Sequence, residues 1–178
     1  MSRISKYATY SKYEAYIVRV MDELDLTGKV QLTWRFRYWK RKGGSAYLST
    51  EIVDGKRIGT VDISNRNTHA YTLQVILHEL KHIQQMLTNR LQLGYTMEEV
   101  MVRGKKRNVP AVLWDGILMK FHRLSRKAER AAYFNDPWEK DAYAYGTDAQ
   151  VQALFPQYAI EYKATGMIGK SKFFKVTR

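Results

Sequence analysis

One stretch constrains this chain more than any other: Val75-Ile76-Leu77-His78-Glu79-Leu80-Lys81-His82-Ile83-Gln84-Gln85. Leu73, Ile76, Leu77, Leu80, Ile83 and Leu87 recur at helical spacing and share one stripe, so the segment reads as an amphipathic helix. Asn67 or Thr68 can cap its first amides. Leu91 to Gly94 supplies its stop, with Gly94 free to adopt a left-handed conformation. At about 100° per residue, His78 and His82 fall roughly opposite the centre of the stripe, and Glu79 falls on its flank. Histidines four apart lie one turn above each other and can share one metal ion. The glutamate between them can act as general base toward a metal-bound water. The competing reading is a solvated polar face. It is the weaker one, because the chain has only four histidines and two fall into this spacing. His69 and His122 read as surface histidines.

Two histidines do not complete a catalytic zinc site, which needs a third protein ligand and an open position. The chain has no cysteine, so the third ligand is His, Glu or Asp. Glu139 is the best placed. It lies near the start of a predicted helix, with Asp136 as cap, Pro137 in first position and an end near Tyr145 and Gly146. Its spacing from Asp136 equally suits an ordinary capping box. Asp141 is the second choice, either as ligand or as a carboxylate holding a ligand histidine in place. Glu98 and Glu99 are weaker, because they fall on a predicted hairpin strand.

The rest of the chain reads as α+β. An amphipathic helix runs from about Ser11 to Leu26 on Tyr13, Tyr16, Ile17, Val20, Met21 and Leu24, and Thr27-Gly28 ends it. Three strand-like runs follow, at residues 30–39, 46–53 and 57–63, with Asp54-Gly55 as a hairpin signal. They form a small, mainly antiparallel meander that leads into the histidine helix. Its last strand, Arg57 to Ile63, offers an edge for an extended ligand. Met97 to Arg103 and Asn108 to Trp114 form a second hairpin with a basic tip. A basic segment follows at 117–132, helical or partly extended, then the Pro137 helix and a further turn or short helix at 149–154. Residues 1–165 read as one domain, and 166–178 as a basic, flexible tail.

Thirty Lys and Arg against seventeen Asp and Glu give a formal charge of +13. That excess favours an anionic partner, nucleic acid first, with plain solubility or an acidic protein substrate weighed nearly equally against it. Trp34, Arg35, Arg37 and Trp39 form either a basic-aromatic binding surface or simply one buried and one wet strand face. The absence of cysteine, of a long apolar run and of an apolar N-terminal leader predicts a soluble, intracellular protein, cytoplasmic and without membrane contact.

His78-Glu79-Leu80-Lys81-His82, with Ile83-Gln84-Gln85, resembles the active helix of zincin metallopeptidases. Pro137-Trp138-Glu139-Lys140-Asp141-Ala142 resembles the E-x-[ED]-A element of gluzincin-like proteins, among them short bacteriophage-encoded peptidase-like proteins and ImmA/IrrE-type peptidases. The resemblance implies Zn2+ as cofactor, Glu139 as third ligand and peptide-bond hydrolysis with Glu79 as general base. It also implies a zincin-like order of helix, sheet, active helix and ligand helix. A tyrosine commonly assists in that group; Tyr133, Tyr143 and Tyr145 are the candidates. No third histidine follows soon after His82, so the metzincin pattern is absent, and so is the histidine partner of SprT-like proteases. The alternative function is a basic nucleic-acid-binding or virion-associated protein on a zincin-like scaffold without activity.

Overall fold

A computed structural model describes residues 4–38, 41–102, 104–119 and 133–154. The chain is a mixed α+β protein. In order come α1 (Ile4–Glu23), β1 (Val30–Arg37), β2 (Gly44–Val53), β3 (Lys56–Ser64), α2 (His69–Leu87), β4 (Leu91–Val102), β5 (Lys105–Trp114), β6 (Ile117–Met119), α3 (Pro137–Tyr145) and α4 (Asp148–Leu154). The basic segment at 117–132 opens as β6. The remainder of it, with His122, and the tail at 166–178 lie outside the described residues. No helix among those residues is long and apolar enough to cross a membrane.

The first sheet has the order β1-β3-β2 and is not a meander. β2 and β3 are the predicted hairpin. Asp54 and Gly55 take φ of 51° and 74° between the paired residues Val53 and Lys56, the geometry that two-residue turns require. β1, however, pairs with β3 in parallel, Val30 opposite Arg57 through to Arg37 opposite Ser64. β3 is therefore hydrogen-bonded on both sides, and the edge predicted at residues 57–63 belongs instead to β2. Alternation along β1 explains its partners. Trp34 and Phe36 turn inward to the Tyr13 ring of α1, at 6.5 and 5.4 Å between centroids. Arg35 and Arg37 turn outward and bind Asp62 at 2.6 and 2.7 Å. Trp34 and the two arginines thus occupy opposite faces and do not form one basic-aromatic surface; Trp39 lies outside the described residues.

α2 is the central element. Thr68 is its N-cap and accepts from the Tyr71 amide. The helix ends at Leu87, with Asn89 at φ 58° just beyond the Thr88 cap. Gly94 is not the stop; it lies inside β4, where the β4–β5 register shifts between Leu93 and Thr96. The apolar stripe of α2 packs on α1 and the first sheet, and its opposite face is covered by α3. Leu73, Ile76, Leu77, Leu80 and Ile83 are fully buried, but so are His78, Glu79, His82 and Gln85, each no more than 8% exposed. The solvated-face reading of the histidines is thereby overturned. His69 is half-buried, with Tyr13 Oη 2.7 Å from its Nδ1, so it is not a free surface histidine either.

The second sheet, β4-β5-β6, is antiparallel throughout. It braces α3: Trp114 lies 6.3 Å from Trp138, and the Arg90 guanidinium stacks 4.6 Å over Trp114.

Candidate metal centre

α3 delivers Glu139 to the histidine pair. Pro137 opens the helix and Asp136 is its N-cap residue, yet the Asp136 side chain makes no capping bond. The capping-box reading therefore fails. Glu139 turns inward, is 4% exposed, and places Oε2 3.2 Å from His78 Nε2 and Oε1 3.4 Å from His82 Nε2. The two Nε2 atoms are 3.1 Å apart. A tetrahedral ion with bonds of about 2.0–2.1 Å holds its ligand atoms about 3.3 Å from one another. His78, His82 and Glu139 thus form a buried group that can hold a metal ion. Ala142, fully buried, and Gly146 let α3 approach this closely. A Cβ on Gly146 would stand 3.1 Å from the Gln74 carbonyl oxygen and 3.3 Å from His78 Cβ.

The donor chemistry fits a cation as well as the distances do. Gln85 Nε2 donates to the Trp138 carbonyl at 3.0 Å and to Asp141 Oδ2 at 2.8 Å. Both amide hydrogens are thereby used, so Gln85 Oε1, 2.8 Å from His82 Nδ1, accepts a proton held there. That fixes the His82 tautomer with its Nε2 lone pair aimed at the centre. Glu139 Oε2 is buried without a hydrogen bond, as is His78 Nδ1. Burial acts to raise the Glu139 pKa, but the adjacent His78 and His82 imidazoles outweigh it and bring it down to about 2. Burial acts against charge on His82, and the Glu139 hydrogen bond outweighs it and raises the pKa.

Asp141 is a support and not a ligand. Besides Gln85, it meets Arg90 at 3.3 Å and Lys81 at 3.8 Å, and Arg90 continues to Asp115 at 2.8 Å. Sequence reasoning foresaw a carboxylate behind a ligand histidine but missed Gln85, which lies between the two. Replacing Gln85 with Leu keeps the bulk and strands the His82 Nδ1 proton. Metal affinity should fall about 10- to 100-fold, read by competition with a chromophoric chelator. Unchanged affinity would reduce Gln85 to packing.

Glu79 lies on the other side of the centre, against β2. A Cβ on Gly44 would stand 2.6 Å from Val75 Cγ1 and 2.9 Å from Glu79 Oε1, so only glycine lets the strand pass this close. Burial is the main cause that lifts the Glu79 pKa to about 8. An open cleft of about 1520 Å³ begins here, with His78 and Glu79 in its lining. The Tyr143 ring lies tilted against His78, 4.4 Å between centroids, and lines the cleft. So does Tyr133, whose hydroxyl bonds Glu139; burial pushes its pKa upward. Tyr145 is outside the cleft lining, with the Lys81 ammonium 5.4 Å over its ring. Glu98 and Glu99 lie on β4, where Glu99 pairs with Lys106 at 2.9 Å and is not part of the metal-holding group.

The fold and site together define an α+β protein with a buried His-His-Glu group beside an open cleft. No protein-family model, curated protein or solved structure matches the chain.

Proposed function

We propose that this chain is a zinc-dependent metallopeptidase on a zincin-like scaffold. The observation that carries the reading is the convergence of His78 Nε2, His82 Nε2 and a Glu139 oxygen at one point, with Glu79 buried beside it at the mouth of a cleft. Two imidazoles and one carboxylate form a donor set common in catalytic zinc sites. Zinc, when bound, supplies a Lewis acid that polarises the scissile carbonyl and acidifies the attacking water. Glu79 takes the proton of that water and returns it to the leaving amine. Its burial lifts its proton affinity in the metal-free chain, and a neighbouring cation favours the carboxylate form needed for the first transfer. Tyr133 and Tyr143 line the cleft, where a hydroxyl can donate to the carbonyl oxygen as charge develops. Among the described residues β2 is an edge strand, and it offers main-chain pairing to an extended peptide where Gly44 passes Glu79.

Hydrolysis of an unstructured protein substrate tests the reading. Zinc-loaded protein should cleave it, lose activity on chelation and regain it on reloading. No cleavage at full zinc occupancy, or cleavage indifferent to chelation, would contradict it.

The charge of +13 keeps nucleic-acid binding as a second reading. Its local support has weakened, since Trp34 lies on the opposite strand face from Arg35 and Arg37, and both arginines are engaged by Asp62. Its signature is steeply salt-dependent binding that survives Glu79→Gln.

A further inference from the structure

The cleft has two unlike walls. On one side is the end of the β1–β2 connection, with Arg41, Lys42 and Gly43 leading into Gly44. On the other are Tyr133, Phe134 and Tyr143.

The cationic wall is held in place. Asn67 clamps Gly43 at both ends of its peptide unit, accepting from the Gly43 amide at 2.9 Å and donating to its carbonyl at 3.0 Å. Ser64 donates its hydroxyl to the Arg41 carbonyl at 2.8 Å and its amide to the Gly43 carbonyl at 2.9 Å. The backbone is thus fixed while both side chains stand exposed. Among the described residues, neither Arg41 nor Lys42 forms an ion pair, and the only acid that lines the cleft is the buried Glu79. The two exposed cations give this part of the cleft a positive rim, which an anionic ligand complements.

The opposite wall is apolar and contiguous. Phe134 stands 5.6 Å from Tyr133 and 5.6 Å from Tyr143, and all three are between 42% and 45% exposed. Exposed aromatics grouped beside a reactive centre mark a binding surface. Cations and aromatic faces in one cleft suit a peptide better than a bare polyanion, because side chains of both kinds find a partner there and Gly44 of β2 brings a strand backbone to the same lining.

Resting on the peptidase reading, we propose that the cleft selects peptides carrying an acidic side chain near the scissile bond, held by Arg41 and Lys42, with an apolar or aromatic side chain against Phe134 and Tyr143. The chain's excess of positive charge draws acidic substrates toward the same cleft.

The test uses one peptide scaffold with Glu, Gln or Lys placed on either side of the scissile bond. Cleavage is measured with zinc-loaded protein and with an Arg41→Ala/Lys42→Ala double variant, whose zinc content and melting temperature are checked first. Binding of the same peptides is measured on the zinc-loaded Glu79→Gln protein. The Glu peptide should exceed the Gln peptide by about tenfold in kcat/KM, and the Lys peptide by more. The preference should shrink in high salt and vanish in the double variant. Equal cleavage of all three peptides overturns the acidic preference and leaves the peptidase reading intact. If no peptide is cleaved, the peptidase reading fails and binding decides: a Glu preference lost in the double variant supports the subsite, and equal binding overturns it. Displacement of the Glu peptide by a single-stranded oligonucleotide of higher affinity also overturns it, assigning the two cations to nucleic acid. A Phe134→Ala variant should lose the preference between peptides with an aromatic and a small residue at the facing position, and an unchanged ratio there overturns the apolar half.

Discussion

Glu79→Gln should keep the metal and lose peptide hydrolysis by roughly three orders of magnitude, the usual contribution of a positioned acid-base group. Gln preserves shape and cannot accept the proton of the attacking water. Single-turnover cleavage beside metal content measures both halves, and retained turnover would remove Glu79 from its role. The same substitution should stabilise the metal-free chain. Burial raises the Glu79 pKa from 4.5 to about 8, so the folded state holds this proton more tightly than the unfolded state does. For a carboxyl raised in this way, the cost to folding begins above the unfolded value near 4.5, grows with pH and levels off above about 8. At pH 7 the gain from Gln should be on the order of 2–4 kcal/mol in the absence of metal, and near zero below pH 4. Urea denaturation of chelator-treated protein at several pH values reads it. A gain independent of pH would show that burial of the charge is not its cause.

Glu139→Ala should cost about a thousandfold in metal affinity. Zinc in a full protein site is worth on the order of 12 kcal/mol, and loss of one of three ligands removes roughly a third of that. Asp141→Ala should cost only tens-fold, because Asp141 reaches the centre through Gln85 and His82. Competition with a chelator of known affinity separates the two. Equal losses would mean that Glu139 supports the site and does not ligate. In the metal-free chain, Glu139 also pairs with His82, and its pKa is depressed to about 2. Its contribution to stability is therefore complete above the unfolded value near 4.5 and is lost as pH falls through about 2.

The parts of the site legible in the sequence are those fixed by local spacing. His82 follows His78 by four positions, about one turn of a helix, and the Asp136-Pro137 start sets the phase of Glu139. What local spacing cannot convey is what covers a face. A helical wheel put both histidines opposite the apolar stripe, and only the docking of α3 makes that side an interior. The pairing of β1 with β3 was hidden for the same reason: alternation along Val30 to Arg37 tells which residues turn inward but not which strand lies beside it. Gly94 was misread because a glycine signals left-handed backbone in a helix stop and in a strand irregularity alike. The true stop, Asn89, takes that conformation at a residue with a milder preference for it. Gln85 carries no pattern at all. A glutamine on a helix is ordinary, and its role appears only when His82, Asp141 and the Trp138 carbonyl surround it.

The measurement closest to the central claim is the metal content of the purified wild-type chain by elemental analysis, before and after equilibration with excess zinc. The account predicts about one zinc per chain, retained through desalting and lost in His82→Ala. A wild-type chain that retains no metal under any loading condition would contradict it and leave His78, His82 and Glu139 as a buried polar cluster.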